Sequence, residues 1–139
     1  MRKKILFIIT ATVLIIVIGI VLVISQKGDI NMAITSQQAA DLIQKNQNNP
    51  EFVILDVRTA QEYQSGFIAG AVNIDFYAAD FKTRINELDK NKIYLVYCRT
   101  ANRSGQTATI MKSLKFKEVY DLSGGVVAWS QKGFPLVKP

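Results

Sequence analysis

Cys98 is the only cysteine among 139 residues, and it opens the run Cys98-Arg99-Thr100-Ala101-Asn102-Arg103-Ser104-Gly105 directly behind the apolar stretch Ile93 to Tyr97. A thiol acts as a nucleophile in its thiolate form, which is favoured where cations, amide N–H groups or a helix N-terminus stabilise negative charge. A lone cysteine is more commonly a small buried hydrophobe. That reading accounts for the thiol but not for Arg99 and Arg103, since guanidiniums placed beside a structural cysteine would need an anionic partner to be buried. The chemistry to expect is a thiolate, a persulfide on it, or a bound anion, held by converging loop amides at the start of a helix.

What the chain lacks narrows this further. With no histidine, Cys-His catalysis, Ser-His-Asp triads and the commonest metal ligand are all excluded. A single cysteine forbids an internal disulfide and provides no second thiol to resolve an oxidised Cys98. No metal and no cofactor are expected. Activation of Cys98 falls to backbone, cations and local field.

The elements that must position the loop can be read from hydropathy. Thr35 or Ser36 can cap a helix over Gln37 to Lys45, with Ala39, Ala40, Leu42 and Ile43 as its apolar face. Phe52 to Leu55 is a continuous apolar run of the kind buried on both faces of a sheet. A short strand is expected around Ala71 to Ile74, a helix from about Ala79 to Leu88, and a strand over Ile93 to Tyr97. Ala108, Ile110, Met111 and Leu114 mark a helix after the Cys98 loop; Glu118 to Tyr120 is a last strand and Gly125 to Lys132 a last helix. Strands alternating with helices predict an α/β fold, a mostly parallel sheet covered on both faces. Such sheets bind ligands outside the carboxyl ends of their strands, where Cys98 lies.

The N-terminus is a separate matter. Ile5 to Ile24 is an uncharged apolar run preceded by Met1-Arg2-Lys3-Lys4. At about 1.5 Å per residue a helix of that length spans the ~30 Å hydrocarbon core, and a basic flank keeps its own end in the cytoplasm. The expected organisation is therefore a basic flank at 1–4, a transmembrane signal-anchor helix at 5–24, a linker at 25–33 and one domain at 34–139, held at the cell membrane as a single-pass protein with the domain outside the cytoplasm. A cleaved signal peptide is the competing reading, but its apolar region is normally only about 7 to 15 residues. Of 17 basic residues, three precede the apolar run, leaving 14 against 11 acidic ones. That excess is too small and too scattered for a nucleic-acid surface.

Four separated motifs together resemble a single-domain rhodanese: Asp56-Val57-Arg58; Glu62 to Ile74; Cys98 to Arg103; and Leu122-Ser123-Gly124-Gly125 with Trp129. The resemblance covers about Ile34 to Phe134 and implies a three-layer α/β/α arrangement. It also implies sulfurtransferase activity, in which sulfane sulfur moves from a donor such as thiosulfate, through a Cys98 persulfide, to cyanide or a thiol, with a protein acceptor as a further option. By the same resemblance, Arg99, Thr100, Ala101, Asn102 and Arg103 form the substrate-binding loop, and Asp56, Arg58 and Glu62 form a supporting ion-pair network between the second strand and the next helix. For Arg103, an anion-binding cation, a clamp on the loop and a salt bridge to an acid such as Asp56 all remain open.

The six-residue loop resembles the sulfur-transferring type, whereas related phosphatases use a loop one residue longer; a phosphatase or arsenate reductase is the alternative enzyme reading. A membrane-tethered sulfur carrier or protein-binding module without small-molecule turnover is the non-enzyme alternative. Two residues depart from the family pattern. Phe67 stands where histidine is usual, and Ala101 stands where glycine is frequent, at a cost of about 1 kcal/mol or more if the backbone there has positive φ.

Overall fold

A computed structural model describes residues 30–139. The expected basic flank, the membrane helix at 5–24 and most of the expected linker lie outside the described residues. Among the described residues no helix is long and apolar enough to cross a membrane.

Five parallel strands form one sheet in the order β1-β5-β4-β2-β3, with β1 at Ile30–Ile34, β2 at Phe52–Asp56, β3 at Val72–Asn73, β4 at Ile93–Tyr97 and β5 at Glu118–Leu122. Four helices connect them, α1 at Ser36–Lys45, α2 at Ala60–Gln64, α3 at Phe81–Glu87 and α4 at Asn102–Ser113, and α5 at Gly125–Gln131 follows the last strand. Strand residues alternate between two cores, as the two-residue period of a strand requires. Leu55, Tyr94, Val96 and Val119 pack with Phe81 and Ile85 of α3 and Ala108 and Met111 of α4. Ile54, Leu95, Tyr97 and Leu122 pack with Ala39 of α1 and Val126 and Trp129 of α5 on the other side. Helices therefore cover both faces, which is why β4 is apolar along its length and β2 is apolar up to Asp56 at its end.

Two elements differ from the sequence expectation. Strand β1 takes residues read as linker: Ile30 to Ile34 pair in register with Glu118 to Leu122. Its periodicity is obscured by Asn31, whose Nδ2 donates to the Ala108 carbonyl at 2.9 Å, and by Met32, an apolar residue exposed at the sheet edge. An edge strand of this composition is defined by its partner rather than by its own periodicity. Helix α2 is a single short turn begun by a capping box, in which Thr59 accepts from the Glu62 N–H and Glu62 accepts from the Thr59 N–H. The same device at Thr35 and Gln38 starts α1; each satisfies amides that the first helical turn leaves unpaired.

Candidate active site

Cys98 follows the last residue of β4 and precedes α4 by three residues, so the loop is pinned between a central strand and a helix N-terminus. The residue is 1% exposed, placing its sulfur at the floor of the loop. Burial alone would raise the thiol pKa, but the Ser104 N–H and hydroxyl and the N–H groups of Thr100 and Arg103 outweigh it, and the pKa lies below the ordinary thiol value. The Ser104 hydroxyl donates to Sγ over 3.6 Å.

Helix α5 explains why the loop amides face inward. The N–H of Val126 donates to the Cys98 carbonyl at 3.0 Å, and that of Val127 to the Arg99 carbonyl at 3.2 Å. With its carbonyls drawn outward to α5, the loop turns its own N–H groups toward the sulfur. Gly125 makes this approach possible. It has φ +58°, and a Cβ there would collide with the carbonyl oxygens of Cys98 and Arg99.

Arg103 closes the loop from the other side. Its Nη1 and Nη2 donate to Glu62 Oε2 and Oε1 at 2.7 and 2.8 Å, a two-pronged pair, and the guanidinium carbon sits 5.6 Å from the centre of the Tyr77 ring. The pair with Arg103 is the main cause of a Glu62 pKa of about 2. Of the roles open to Arg103, the geometry displays the clamp, and its carboxylate partner is Glu62 rather than Asp56.

Asp56 is instead occupied by Arg58, whose Nε and Nη2 reach it at 2.9 and 2.6 Å while Nη2 also donates to the Gly66 carbonyl at 2.7 Å. The expected three-membered network is thus two separate pairs: Asp56–Arg58, buried beneath the β2–α2 turn, and Glu62–Arg103, which reaches across to the Cys98 loop.

The remaining loop residues divide by orientation. Arg99 is exposed, has no carboxylate within 4 Å among the described residues, and lines a cavity of about 430 Å³ together with Arg58, Glu62, Val126 and Gln131. Thr100 is exposed and offers its N–H to the sulfur. Asn102 points along α4, its Oδ1 accepting from Gln106 Nε2 at 2.9 Å. Ala101 has φ +73°, the conformation in which a Cβ is strained. Trp129 belongs to the core, donating from Nε1 to the Pro135 carbonyl.

The sequence pattern of the rhodanese-like domain matches residues 38–132, two thirds of the chain. The chain belongs to the rhodanese-like domain family. It is similar to a sulfurtransferase of Allochromatium vinosum, with 29% identity over 98 residues that cover 70% of this chain and 90% of that protein. A thiosulfate sulfurtransferase of Pseudomonas savastanoi is 36% identical over 78 residues, covering 55% of this chain and 71% of the relative. The crystal structure of a rhodanese-related protein from Thermoplasma volcanium has a TM-score of 0.63 and 28% identity, covering 76% of this chain and 97% of that one. Within this rhodanese-like domain, Phe67 stacks on Tyr63 at 4.2 Å between ring centres and exchanges backbone hydrogen bonds with Val137. An apolar ring suits that position, which binds the C-terminal segment to the domain.

Two residues near Cys98 escaped the sequence reading. Ser104 lies in the first turn of α4, one residue past Arg103, and its hydroxyl reaches the sulfur. Asp121 sits in β5 on the same face as Val119, and its Oδ1 is buried without a hydrogen-bond partner. The signal the sequence offers for it is an acid set between the apolar residues Tyr120 and Leu122.

Proposed function

We propose that this protein is a sulfurtransferase that carries sulfane sulfur on Cys98 between an anionic donor such as thiosulfate and a thiophilic acceptor. The observation that carries the reading is the convergence of the Thr100, Arg103 and Ser104 N–H groups on a buried, sole cysteine whose pKa is lowered. The Cys98 thiolate attacks the outer sulfur of thiosulfate; a new S–S bond forms to Sγ, the bond to the sulfite sulfur breaks, and sulfite leaves with the electron pair. Cyanide or a thiolate then attacks the outer sulfur of the persulfide, and Cys98 departs as the thiolate. Splitting one transfer into two displacements is the gain from covalent catalysis. The loop amides stabilise charge on Sγ at the beginning and the end of the cycle, where it is greatest. The relatives named sulfurtransferase and thiosulfate sulfurtransferase support this assignment.

Arg103 argues against phosphoryl chemistry. Both of its terminal nitrogens are engaged by Glu62, so it has little left to offer a phosphate. Arg99, exposed and free of a carboxylate partner among the described residues, is the cation available to a donor dianion. The cavity beside it provides room for an acceptor thiol, small or carried on a protein. The assay is thiocyanate formation from thiosulfate and cyanide by the full-length chain. Turnover is expected, with loss in Cys98→Ser; turnover retained by that variant would overturn the role of Cys98. The apolar run Ile5 to Ile24 supports a membrane tether with the domain outside the cytoplasm, and resistance of the domain to protease added to spheroplasts would contradict that placement.

A further inference from the structure

The strand register fixes where the Cys98 loop lies relative to the point at which the chain enters the sheet. All pairings are parallel; Ile30 of β1 is opposite Glu118 of β5, and Glu118 is opposite Ile93 of β4. Ile30 is therefore level with the first residue of β4. Cys98 lies five residues further along, about 17 Å at a rise of ~3.3 Å per residue. The chain enters at one end of the sheet, and the thiol sits at the other. Only Ser25 to Asp29 separate Ile30 from the apolar run that ends at Ile24, a stretch whose full extension is about 20 Å. A bilayer that holds Ile5 to Ile24 thus has the entry end of the domain beside its surface and Cys98 on the far side.

Lysines gather at that entry end. Lys45 closes α1, Lys90 and Lys92 precede β4, and Lys112, Lys115 and Lys117 occupy the last turn of α4 and its connection to β5. A backbone bond from the Lys117 N–H to the Lys90 carbonyl, 3.0 Å long, joins two of these segments. Lys45, Lys112, Lys115 and Lys117 are exposed. Among the described residues none of the six has a carboxylate within 4 Å; Lys90 and Lys92 bond instead to Asn86 Oδ1 and the Pro50 carbonyl. Glu51, Glu87, Asp89 and Glu118 share this end, which leaves the lysines in excess. At the Cys98 end, by contrast, Arg58 and Arg103 are neutralised within the domain by Asp56 and Glu62.

We propose that the lysine-bearing end of the domain rests on the anionic headgroups of the bilayer that holds the apolar run, so that the Cys98 loop faces away from the membrane. This rests on the reading of Ile5 to Ile24 as a tether. The short linker brings the lysines to the surface, and exposed ammonium groups are attracted to anionic lipid within a Debye length, about 8–10 Å at ordinary ionic strength. The consequence concerns the substrates. Donor and acceptor reach Cys98 from the water beyond the domain, so the acceptor is a soluble thiol or protein and not a molecule dissolved in the lipid.

Spin labels on the full-length chain in lipid vesicles test this. Cys98→Ser removes the sole thiol, and one label is then attached at Ser113→Cys, at the end of α4, or at Thr100→Cys, in the loop; both positions are exposed. Nickel-chelating headgroups serve as the relaxing agent in vesicles of phosphatidylcholine with or without phosphatidylglycerol. With phosphatidylglycerol present, relaxation at position 113 is expected to exceed that at position 100 by at least about threefold. The difference should shrink at least about twofold without phosphatidylglycerol, or when Lys112, Lys115 and Lys117 are all replaced by glutamine. Equal relaxation at the two positions, or more at position 100, overturns the proposal. So does a difference indifferent to both lipid charge and the lysines. Flotation of the vesicles, scored first, separates the two readings: a chain that stays in solution refutes the tether and the docking together, whereas a chain that floats without the expected difference refutes the docking alone.

Discussion

Glu62→Gln isolates the clamp that ties α2 to the Cys98 loop. Glutamine retains the reciprocal cap with Thr59, because a capping box accepts either residue at this position, so the substitution removes the charge opposite Arg103 and little else. The wild-type carboxyl, held at about 2 instead of 4.5, corresponds to roughly 3 kcal/mol in favour of the charged form. The Glu62 side chain keeps 30% of its surface in water while Arg103 keeps 11%, and solvent screening reduces the usable stabilisation to about 1–2 kcal/mol. In urea this is a drop in the unfolding midpoint of roughly 0.5–1 M at pH 7. Because the folded-state pKa lies below the unfolded one, the stabilisation is complete above about pH 4.5 and is lost as pH falls through about 2. Denaturation of wild type and variant across that range should therefore give curves that converge at the acid end. Equal midpoints at pH 7, or a gap that persists undiminished at pH 2, would refute the assignment of Glu62 as an ionised partner of Arg103.

Three further outcomes follow from the same geometry. Ala101→Gly relieves a positive-φ strain of about 1–2 kcal/mol while restoring about 0.4–1 kcal/mol of unfolded-chain entropy; the melting temperature is expected to rise by roughly 2–6 °C, and a fall would contradict a strained Ala101. Gly125→Ala forces a methyl group against the Cys98 and Arg99 carbonyls and is expected to cost at least about 2 kcal/mol, read by denaturant unfolding; wild-type stability would show that α5 does not press on the loop. A chain begun at Ile34 loses the β1 pairing with β5 and should melt at a lower temperature than one begun at Gly28, with equal melting arguing against β1 as part of the fold.

The legible parts of this molecule are those whose sequence carries its own pattern. Phe52 to Leu55 and Ile93 to Tyr97 are buried on both faces and read as strands without help from any partner. The Cys98 loop was visible because a sole thiol, two arginines and a strand-to-helix junction coincide. What was not legible depends on contacts between distant segments. Strand β1 is fixed by Glu118 to Leu122, nearly 90 residues away, and its Asn31 and Met32 obscure any periodicity. That Glu62 serves Arg103 and not the Asp56–Arg58 pair is a matter of which way a short helix faces, set by the Thr59 cap. Asp121 follows the run Glu118 to Tyr120 read as the last strand, and only the pairing of β5 with β1 and β4 buries it. Chemistry at Cys98 and the loop amides that lower its pKa are thus readable, whereas the side chains that brace the loop from distant segments are not.

The central claim is that Cys98 carries the transferred sulfur. Its most direct test is the intact mass of the full-length chain after exposure to thiosulfate and removal of excess reagent. The expected result is a gain of one sulfur atom, confined to the peptide containing Cys98, discharged by cyanide and absent in Cys98→Ser. An unchanged mass in a folded chain whose thiol is otherwise reduced, or the same gain in Cys98→Ser, would contradict it.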